Sequence, residues 1–546
     1  MQIQSPTDKN YFQAFEIDFR SLEIYFKASE IYFRATEKVL FPAAIGLCPC
    51  EAAFVPQEKR DNCMRPNRKA LLTALLLATV CHIAWAAGMP VLRVTFDGTF
   101  TPDMVYTDGT MHLTDTDGTV VQLPAKFRIR GATARSYLMK PSFNMKLRTA
   151  DYTEEADSSL LGMRSCSSWI LDGMAIDRIC MRNRVAFDIW NEFSRLPYDT
   201  DFGGRNGTEG RFVEVYVNSQ YYGIYCLSDR INRKLLNLKK ARELSEGEWE
   251  VRGLLYKSGT QDIANQNSPG YNDDYTACTV EWHNAWELTY PEDFASPAVW
   301  EPLQTAILQG RSASYVRKYF FLDNLAEYQI HVMALSIADN WGNKNHYLSI
   351  RNVTKDIDDA DPTEADRRRF VLTPWDLDTS LGGAYDGTYY DGTYSDWPVR
   401  DIQKNSPYPI CYVSSDSEYL ALLRQKWAEG RRGAFSAENV RRKLEAYRDL
   451  FLQSGAWQRM VAHFDQSPTR PCYVSDLSRE VELVAKWYEA RFCEMDAYFG
   501  TTDSITDRLT SPSGTTAGTA YDLQGRPAVH PVPQIVIRGG KKYFTR

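Results

Sequence analysis

Two carboxylates near residue 377 are the first feature of the chain that could do chemistry. In the segment TPWDLDTSLGG, Asp376 and Asp378 are two residues apart. In a strand both would point to one face, while Trp375 and Leu377 would face the core. Adjacent carboxylates repel each other unless a cation lies between them. Because Mg²⁺ takes carboxylate, water and phosphate oxygens as ligands, the pair predicts a metal–nucleotide site. The alternative is a strand end with solvated carboxylates.

A second polar cluster lies upstream, in the segment IADNWGNKNHYLSI, between two apolar flanks. Phosphoryl transfer needs a carboxylate near the acceptor hydroxyl and carboxylate and amide ligands for a metal. We predict Asp339 as the catalytic carboxylate and Asn345 as the amide ligand, with Asn343 as the alternative. Asp376, assisted by Asp378, is the predicted main metal ligand. Protein kinases place these groups in the same order, although Asn345 follows Asp339 by six residues rather than five.

The same chemistry requires a cation on the phosphates. The early strands offer two lysines. Lys140 sits beside the Gly131 turn, and Lys146 lies on the polar face of the alternating strand KPSFNMKLR. The sequence leaves the choice between them open.

Composition limits the classes of protein that fit. The 546 residues are 44% hydrophobic and 13% aromatic, so the chain can bury a large core and is not a disordered protein. A net charge of −7, without a dense Lys/Arg block, argues against a nucleic-acid partner. No Cys or His spacing indicates zinc.

Hydrophobic periodicity predicts an α+β fold, with strands early and helices late. The segment RFVEVYVNSQYYGIYCLSDRI is a predicted hairpin around Asn218-Ser219, and HYLSI is a predicted strand. Asp177 is the predicted N-cap of a helix over RICMRNRVAFDIWNEF. We expect further helices from NRKLLNL, over 312–338 and within 417–500.

Five motifs occur in the order seen in one known family: FRIRGATARSYLMKPSFNMKLR, DRICMRNRVAFDIW, VEVYVNSQYYGIYCLSDRI, ADNWGNKNHYLSI and FVLTPWDLDTSLGG. The chain resembles the CotH-type spore-coat kinases over about residues 90–400, with an extension towards 500. The resemblance implies an atypical protein-kinase-like fold, strand-rich in its N-terminal part and helical in its C-terminal part. It implies transfer from Mg-ATP to Ser or Thr hydroxyls of secreted or surface proteins.

Two further residues enter through this resemblance. The family commonly has Glu where Asp229 stands in YCLSDRI, so Asp229 either pairs with a nucleotide-binding lysine or is structural. Arg130 either lies near the phosphates or forms a salt bridge at a strand end. Both are predicted to bind the nucleotide. Asp177, Arg182 and Asn183 match the family as well, although helix capping and a structural network account for them.

The termini predict export and a domain plan. MRPNRKALLTALLLATVCHIAWAAG has the charged, apolar and small-residue order of a signal peptide, which we place at 64–87. The repetitive residues 1–63 are expected to be untranslated or disordered. A CotH-like kinase domain at 88–500 and a linker at 501–518 follow. The last segment, 519–546, is a predicted small β module of two short strands and a basic hairpin, similar to C-terminal modules, some of them sorting signals, of secreted Bacteroidota proteins.

The predicted protein is therefore a secreted or cell-surface kinase with no transmembrane segment in the mature chain. Association with the outer membrane is the alternative location, which the resemblance of the C-terminal module to sorting signals implies. A non-catalytic adhesion or matrix protein on the same fold is the alternative, because ATP is scarce outside the cytoplasm. Retention of the Asp–Asn–Asp-x-Asp set favours the kinase. A glycan-active enzyme fits poorly, since nothing marks an acid and nucleophile pair.

Overall fold

The computed structural model describes residues 88–98, 105–131, 139–198, 204–246, 248–258, 281–282, 286–292, 297–337, 339–340, 344–358, 368–383, 399, 408–464, 473–501, 521–522, 534–538 and 541–545. The chain divides into two units, Met1–Leu77 and Ala78–Arg546, and every described residue belongs to the second unit. The predicted upstream extension, the signal peptide and the linker beyond Thr501 lie outside the described residues.

The first seven strands close into a barrel in the order β1-β2-β3-β4-β5-β7-β6. Neighbouring strands are antiparallel except for β1 and β6, whose parallel pairing closes the barrel. The strands are β1 Val91–Phe96, β2 Thr107–Thr114, β3 Val120–Arg130, β4 Ser142–Leu147, β5 Ser168–Asp172, β6 Gly210–Val217 and β7 Gln220–Asp229. Phe143, Met145 and Leu147 of β4 fill the barrel interior, which confirms the predicted alternation of that strand.

A second, five-stranded sheet has the order β11-β12-β10-β13-β14. Its strands are β10 Leu254–Ser258, β11 Glu281–Trp282, β12 Trp286–Tyr290, β13 His346–Ile350 and β14 Phe370–Pro374. The short strands β8 Arg242–Ser245 and β9 Glu248–Glu250 pair with each other. Near the C-terminus, β15 Tyr521–Asp522, β16 Gln534–Arg538 and β17 Lys541–Thr545 form a three-stranded sheet. The β16–β17 hairpin matches the predicted basic hairpin.

Helices dominate the later part of the described chain, as predicted. The α-helices of the described residues are α1 Arg182–Phe193, α2 Pro297–Gln309, α3 Ala313–Tyr319, α4 Leu322–Leu335, α5 Ser417–Gly430, α6 Ala437–Gln453, α7 Ala456–Phe464 and α8 Leu477–Phe499, and Ile410–Tyr412 is a 3-10 helix. They share one large core with the five-stranded sheet, in which Trp300 and Trp427 are completely buried. The mixed content confirms the predicted α+β class. No helix within the described ranges is long and apolar enough to span a bilayer.

Two helix predictions need correction at their boundaries. Helix α1 begins at Arg182, later than predicted, with Met181 at the N-cap position. Asp177 still serves the helix start, because its carboxylate accepts from the backbone N–H groups of Met181 and Arg182, both at 2.8 Å. The predicted helix over 312–338 is interrupted at Phe320, whose extended backbone forms a bridge with Phe370 of β14.

The segment NRKLLNL does not form the predicted helix. It folds into consecutive turns, in which the Asn232 side chain accepts from the backbone N–H of Leu235 at 2.9 Å. An Asn side chain competes in this way with helical backbone hydrogen bonds. The hairpin around Asn218-Ser219 is confirmed, and both turn residues have positive φ values of 46° and 68°.

Two completely buried histidines should make the fold sensitive to acid. Burial lowers the pKa of His331 and of His346 from 6.5 to about 4. Between those values the unfolded chain binds protons that the native chain does not, so stability is full above pH 6.5 and falls as the pH drops towards 4. Each histidine contributes a slope of up to about 1.4 kcal/mol per pH unit.

His331→Gln tests this expectation. Gln can still donate to the Ala186 carbonyl oxygen, 2.9 Å from the His331 ring nitrogen, but it does not titrate. We expect the urea midpoint of the variant to fall less steeply than that of the wild type between pH 7.5 and 5. Parallel pH profiles for the two proteins would contradict the assignment of His331 as a buried neutral group.

Candidate active site

Strand pairing between β13 and β14 brings two of the predicted metal ligands together. The last paired residues of the ladder are His346 and Pro374. The residues just beyond them remain in contact, because the backbone N–H of Trp375 donates to the carbonyl oxygen of Asn345 at 2.9 Å. Asn345 therefore lies beside the loop that carries Asp376.

The carboxylates Asp376 and Asp378 do not lie in a strand, contrary to the sequence-based prediction. Strand β14 ends at Pro374, and Asp376 has a φ of 56°, which no strand residue adopts. The predicted alternation, with the apolar side chains in the core and the carboxylates on the opposite side, nevertheless holds in the loop. Trp375 and Leu377 are buried, whereas both carboxylates stay partly accessible. The pair therefore faces a recess from a loop rather than from a sheet.

One buried amide fixes both loops of the recess. The Nδ2 of Asn340 donates to the carbonyl oxygens of Asn345 and Trp375, each at 2.8 Å. The backbone carbonyl oxygen of Asn340 accepts from the Tyr328 hydroxyl at 2.9 Å. Asn345 and Asp376 both adopt left-handed backbone conformations, which cost free energy unless the surroundings impose them. Asn340 supplies that constraint.

Asp339, the predicted catalytic carboxylate, lies at the same recess. Its Oδ2 accepts from Lys344 Nζ at 3.0 Å and from Asn345 Nδ2 at 3.4 Å. Its backbone N–H donates to Thr379 Oγ1 at 3.2 Å. Because the amide nitrogen of Asn345 is directed at Asp339, its amide oxygen is the atom that can ligate a cation. Asn343, the alternative ligand, lies outside the described residues.

The barrel contributes an additional carboxylate, Asp172, at the end of β5. Its Oδ2 accepts from Asn183 Nδ2 of α1 at 2.8 Å, and its Oδ1 accepts from Ser142 Oγ at 3.2 Å. Asn183 in turn accepts from the backbone N–H of Leu377 at 3.1 Å. Asn183 thus ties the barrel to the carboxylate loop.

A narrow pocket joins these groups. Its lining includes Asp172, Asn183, Asp376 and Arg130, the last residue of β3. The Arg130 guanidinium lies 5.3 Å from the ring centre of Trp375, within cation–π range. Of the predicted nucleotide-binding residues, Arg130 is therefore the one that the fold brings to the carboxylates.

The electrostatics of the recess fit a divalent cation. Burial raises the pKa of Asp376, although Arg130 opposes the shift. Burial and then the neighbouring charge of Asp376 raise the pKa of Asp378 well above its usual range. Asp172 and Asp339 act on both carboxylates in the same direction. Desolvated carboxylates that repel each other gain stability from a cation.

The donor set determines which cation fits. No group of three or more His, Cys, Asp or Glu side chains in the described part of the chain forms a ready metal cluster. The recess offers two carboxylates and one amide oxygen as ligands. Mg²⁺ is commonly bound by so few protein oxygens, with water and phosphate oxygens completing its coordination shell. Asn345, Asp376 and Asp378 therefore fit Mg²⁺, and they do not fit zinc.

Lys140 is enclosed by protein side chains. Its Nζ lies 3.2 Å from Met460 Sδ on α7 and 4.6 Å from the ring centre of Tyr473. The side chain is 1% exposed, and burial lowers its pKa, although the charge of Asp172 opposes that shift.

Lys146 lines a different and larger cavity, of about 310 Å³. Its Nζ lies 3.5 Å from Glu155 Oε1. Lys146 and Ser168 point outward from the barrel wall, as Ser142 and Asp172 do, so the cavity and the recess share one outer face of the barrel. The other lining residues are Asp157, Cys166, Ser167, Arg230, Ile231, Asn232, Arg233, Lys234, Thr289, Tyr290 and Glu292.

Asp229 is fully buried in an arginine network. Its carboxylate accepts from Arg164 Nε at 2.6 Å, from Arg205 Nη2 at 2.9 Å and from the backbone N–H of Glu209 at 2.8 Å. Neither Lys140 nor Lys146 is among these partners. These contacts support the structural alternative for Asp229, and its predicted nucleotide role stays a prediction.

Sequence analysis assigned no site role to three residues of the recess, Asn340, Asn183 and Asp172. Asn340 was visible within the polar cluster, but its role depends on which carbonyls it meets. Asn183 was attributed to a structural network, which is accurate but omits its link to the carboxylate loop. No sequence pattern indicated a site role for Asp172, which only stands at the end of an apolar strand.

One comparison with known proteins identifies relatives of this chain. The family model described as CotH kinase protein matches residues 127–493, which is more than half of the chain and includes all eight predicted site residues. A search of curated proteins finds no match.

Asp229 and Asp376 should differ sharply when each carboxylate is neutralised. Asp229→Asn leaves Arg164 and Arg205 without their shared buried partner, and breaking such a pair costs about 3–5 kcal/mol. Asp376→Asn removes a desolvated, repelled charge, so stability should stay unchanged or rise. Urea unfolding of both variants, alongside the wild type, measures the difference.

Each variant serves as the matched control for the other, since the chemical change is the same. Destabilisation by Asp376→Asn as large as that by Asp229→Asn would mean that Asp376 is a structural residue. A fully stable Asp229→Asn protein would remove the structural assignment of Asp229.

Proposed function

Because the chain belongs to the CotH kinase family, we propose that it is an atypical kinase that transfers the γ-phosphoryl group of ATP to Ser or Thr hydroxyls of a protein. The convergence of Asp339, Asn345, Asp376 and Asp378 at one recess is the observation that supports this proposal most. An adhesion or matrix scaffold would gain nothing from burying mutually repelling carboxylates. We further propose a divergent kinase-like fold, with the barrel as one lobe and the five-stranded sheet and helices as the other.

The proposed reaction assigns the proton to Asp339. The acceptor oxygen forms a bond to the γ-phosphorus while the bond from that phosphorus to the β,γ-bridging oxygen breaks. Its electron pair leaves with ADP, and the hydroxyl proton passes to the Asp339 carboxylate and then to water. The Lys344 and Asn345 hydrogen bonds hold Asp339 in one orientation for this transfer.

Mg²⁺ is the proposed metal, held by Asn345, Asp376 and Asp378. When bound, it would neutralise charge on the phosphates and orient them. Asn340 holds the backbone of the ligand loops, and Asn183 links them to Asp172 of the barrel. Little rearrangement is then needed at the moment of transfer, which is how such sites stabilise developing charge.

The proposed substrates are secreted or surface proteins, which follows from the signal peptide expected at 64–87. The domain plan stays part of the same proposal: a kinase domain at 88–500, a linker at 501–518 and a β module at 519–546 that directs the protein to the cell surface. The family match covers most of the proposed kinase domain.

Phosphoryl transfer to a peptide library tests the proposed function. We expect the full-length chain to transfer label from γ-labelled ATP to Ser-containing or Thr-containing peptides in the presence of Mg²⁺. Asp339→Asn keeps the shape of the side chain but cannot accept the proton, so the rate should fall by about 10²–10⁴-fold.

Asp449→Asn is the control, because Asp449 is a half-exposed residue of α6 that pairs with the neighbouring Arg448. Its rate should match that of the wild type. An Asp339→Asn variant as fast as the wild type would remove Asp339 from catalysis. Absence of transfer by the wild type to every peptide, with Mg²⁺ or Mn²⁺, would favour the adhesion or matrix protein.

A further inference from the structure

A lysine of the five-stranded sheet, absent from the sequence-based predictions, lies near the carboxylate loop. Lys257 lies on β10, where it pairs with Tyr347 of β13 on one side and with Glu287 of β12 on the other. The Tyr347 ring meets the Trp375 ring edge-on, with 5.8 Å between centres. Trp375 precedes Asp376 in the chain. Lys257 is thus separated from the carboxylate loop by a single layer of side chains.

The charges around Lys257 connect the barrel to the carboxylates. Burial lowers the pKa of Lys257, and Glu287 opposes that shift. The charges of Arg130, Arg230 and Asp376 also act on its ammonium, so all three lie within electrostatic range. Arg130 and Arg230 are therefore two further cations within electrostatic range of Lys257.

The three cations are only weakly neutralised by protein groups. The contact of Lys257 with Glu287 measures 3.9 Å, longer than the 2.7–2.9 Å of a close charge-assisted hydrogen bond. Across the described ranges, Arg130 and Arg230 have no ion pair. Exposed or half-buried cations without a close carboxylate are suited to an anionic ligand.

The strand that pairs with Lys257 reaches the larger cavity. Glu287, the partner of Lys257, and Thr289 are two residues apart on β12, and Thr289 lines that cavity together with Arg230. The Thr289 hydroxyl is buried, and it has no hydrogen-bond partner among the described residues. An unpaired buried hydroxyl in a cavity wall is a ready contact for a polar ligand. Strand β12 thus connects the neighbourhood of Lys257 with this cavity.

The two lysines predicted from the sequence are less favourably placed than Lys257 for contact with an anionic ligand. Lys140 is enclosed by Met460 and by aromatic rings. Lys146 is four residues further along β4 than Ser142, the residue that contacts Asp172. That separation is roughly 13 Å along the strand. Its ammonium already faces Glu155.

We propose that Lys257, between Arg130 and Arg230, is the lysine that contacts the phosphates of the nucleotide, with the nucleoside extending into the cavity of about 310 Å³. The inference rests on the proposed function, since it names the phosphate-binding cations of that same site. A lysine ammonium acts on phosphate oxygens as a mobile point charge, so it can follow the phosphates without a fixed geometry.

Nucleotide binding by two matched variants of the full-length chain tests the inference. Lys257→Met and Lys146→Met each remove one ammonium and keep a side chain of similar length. We expect Lys257→Met to raise the Kd of Mg-ATP about tenfold or more, as the loss of a charge-assisted contact does. Adenosine should bind both proteins equally, because only the phosphates contact Lys257. Lys146→Met should change the Kd of Mg-ATP by less than about threefold.

The outcomes separate this inference from the proposed function. Unchanged Mg-ATP affinity in a folded Lys257→Met protein, or a larger loss in Lys146→Met, overturns the role of Lys257. Binding that depends on Lys257, in a wild type that transfers no phosphoryl group, supports the inference and contradicts the kinase. A wild type that binds neither Mg-ATP nor pyrophosphate overturns both. Lys257→Arg should recover part of the lost affinity, whereas a purely structural lysine would give no phosphate-dependent rescue.

Discussion

The partly buried carboxylates of Asp376 and Asp378 lie on one loop, within electrostatic range of each other and of Asp339. Such an arrangement is unfavourable in the protein alone, because burial and mutual repulsion both oppose ionisation. It becomes favourable when a cation binds between the carboxylates. The left-handed backbones of Asn345 and Asp376 and the buried Asn340 amide are the means by which the chain keeps them in place. The rest of the recess is arranged around this requirement.

Two separate sheets contribute charged side chains to the recess. The five-stranded sheet carries Lys257 and the acidic loop at the end of β14, and the barrel carries Arg130 at the end of β3 and Asp172 at the end of β5. Asn183 joins the two by hydrogen bonds to Asp172 and to the backbone of Leu377. A cleft built between rigid sheets can hold charges at fixed separations, which a single loop cannot do. Lys257 extends the positive side of this cleft towards the larger cavity.

Local patterns were sufficient for much of the fold and for the acidic half of the recess. Alternation of apolar and polar residues predicted strands β4 and β13, and Asn218-Ser219 predicted the β6–β7 hairpin. These signals are local because they involve neighbouring residues. Asp339 and Asn345 could be proposed as site residues because both belong to one short polar segment between apolar flanks. The end of β14 could not, since the bond between Trp375 and Asn345 depends on a second strand.

The cations were harder to predict than the carboxylates. Nothing in the neighbourhood of Lys140 reveals that α7, more than three hundred residues later, covers it. Lys257 reaches the recess only because β10 pairs with β13, and that pairing is not encoded near residue 257. Long-range packing decides which charged side chains face a cleft, and a single sequence carries no direct signal of it.

Thermal unfolding of the full-length chain with Mg²⁺ and ATP tests the central claim most directly, namely that the buried carboxylates form a metal–nucleotide site. A ligand at a hundred times its Kd stabilises the native state by about 2.7 kcal/mol. The account predicts a raised melting temperature with Mg-ATP, no comparable rise with ATP and a chelator, and no rise in Asp376→Asn. Equal shifts in the wild type and Asp376→Asn, or no shift in either at millimolar Mg-ATP, would contradict it.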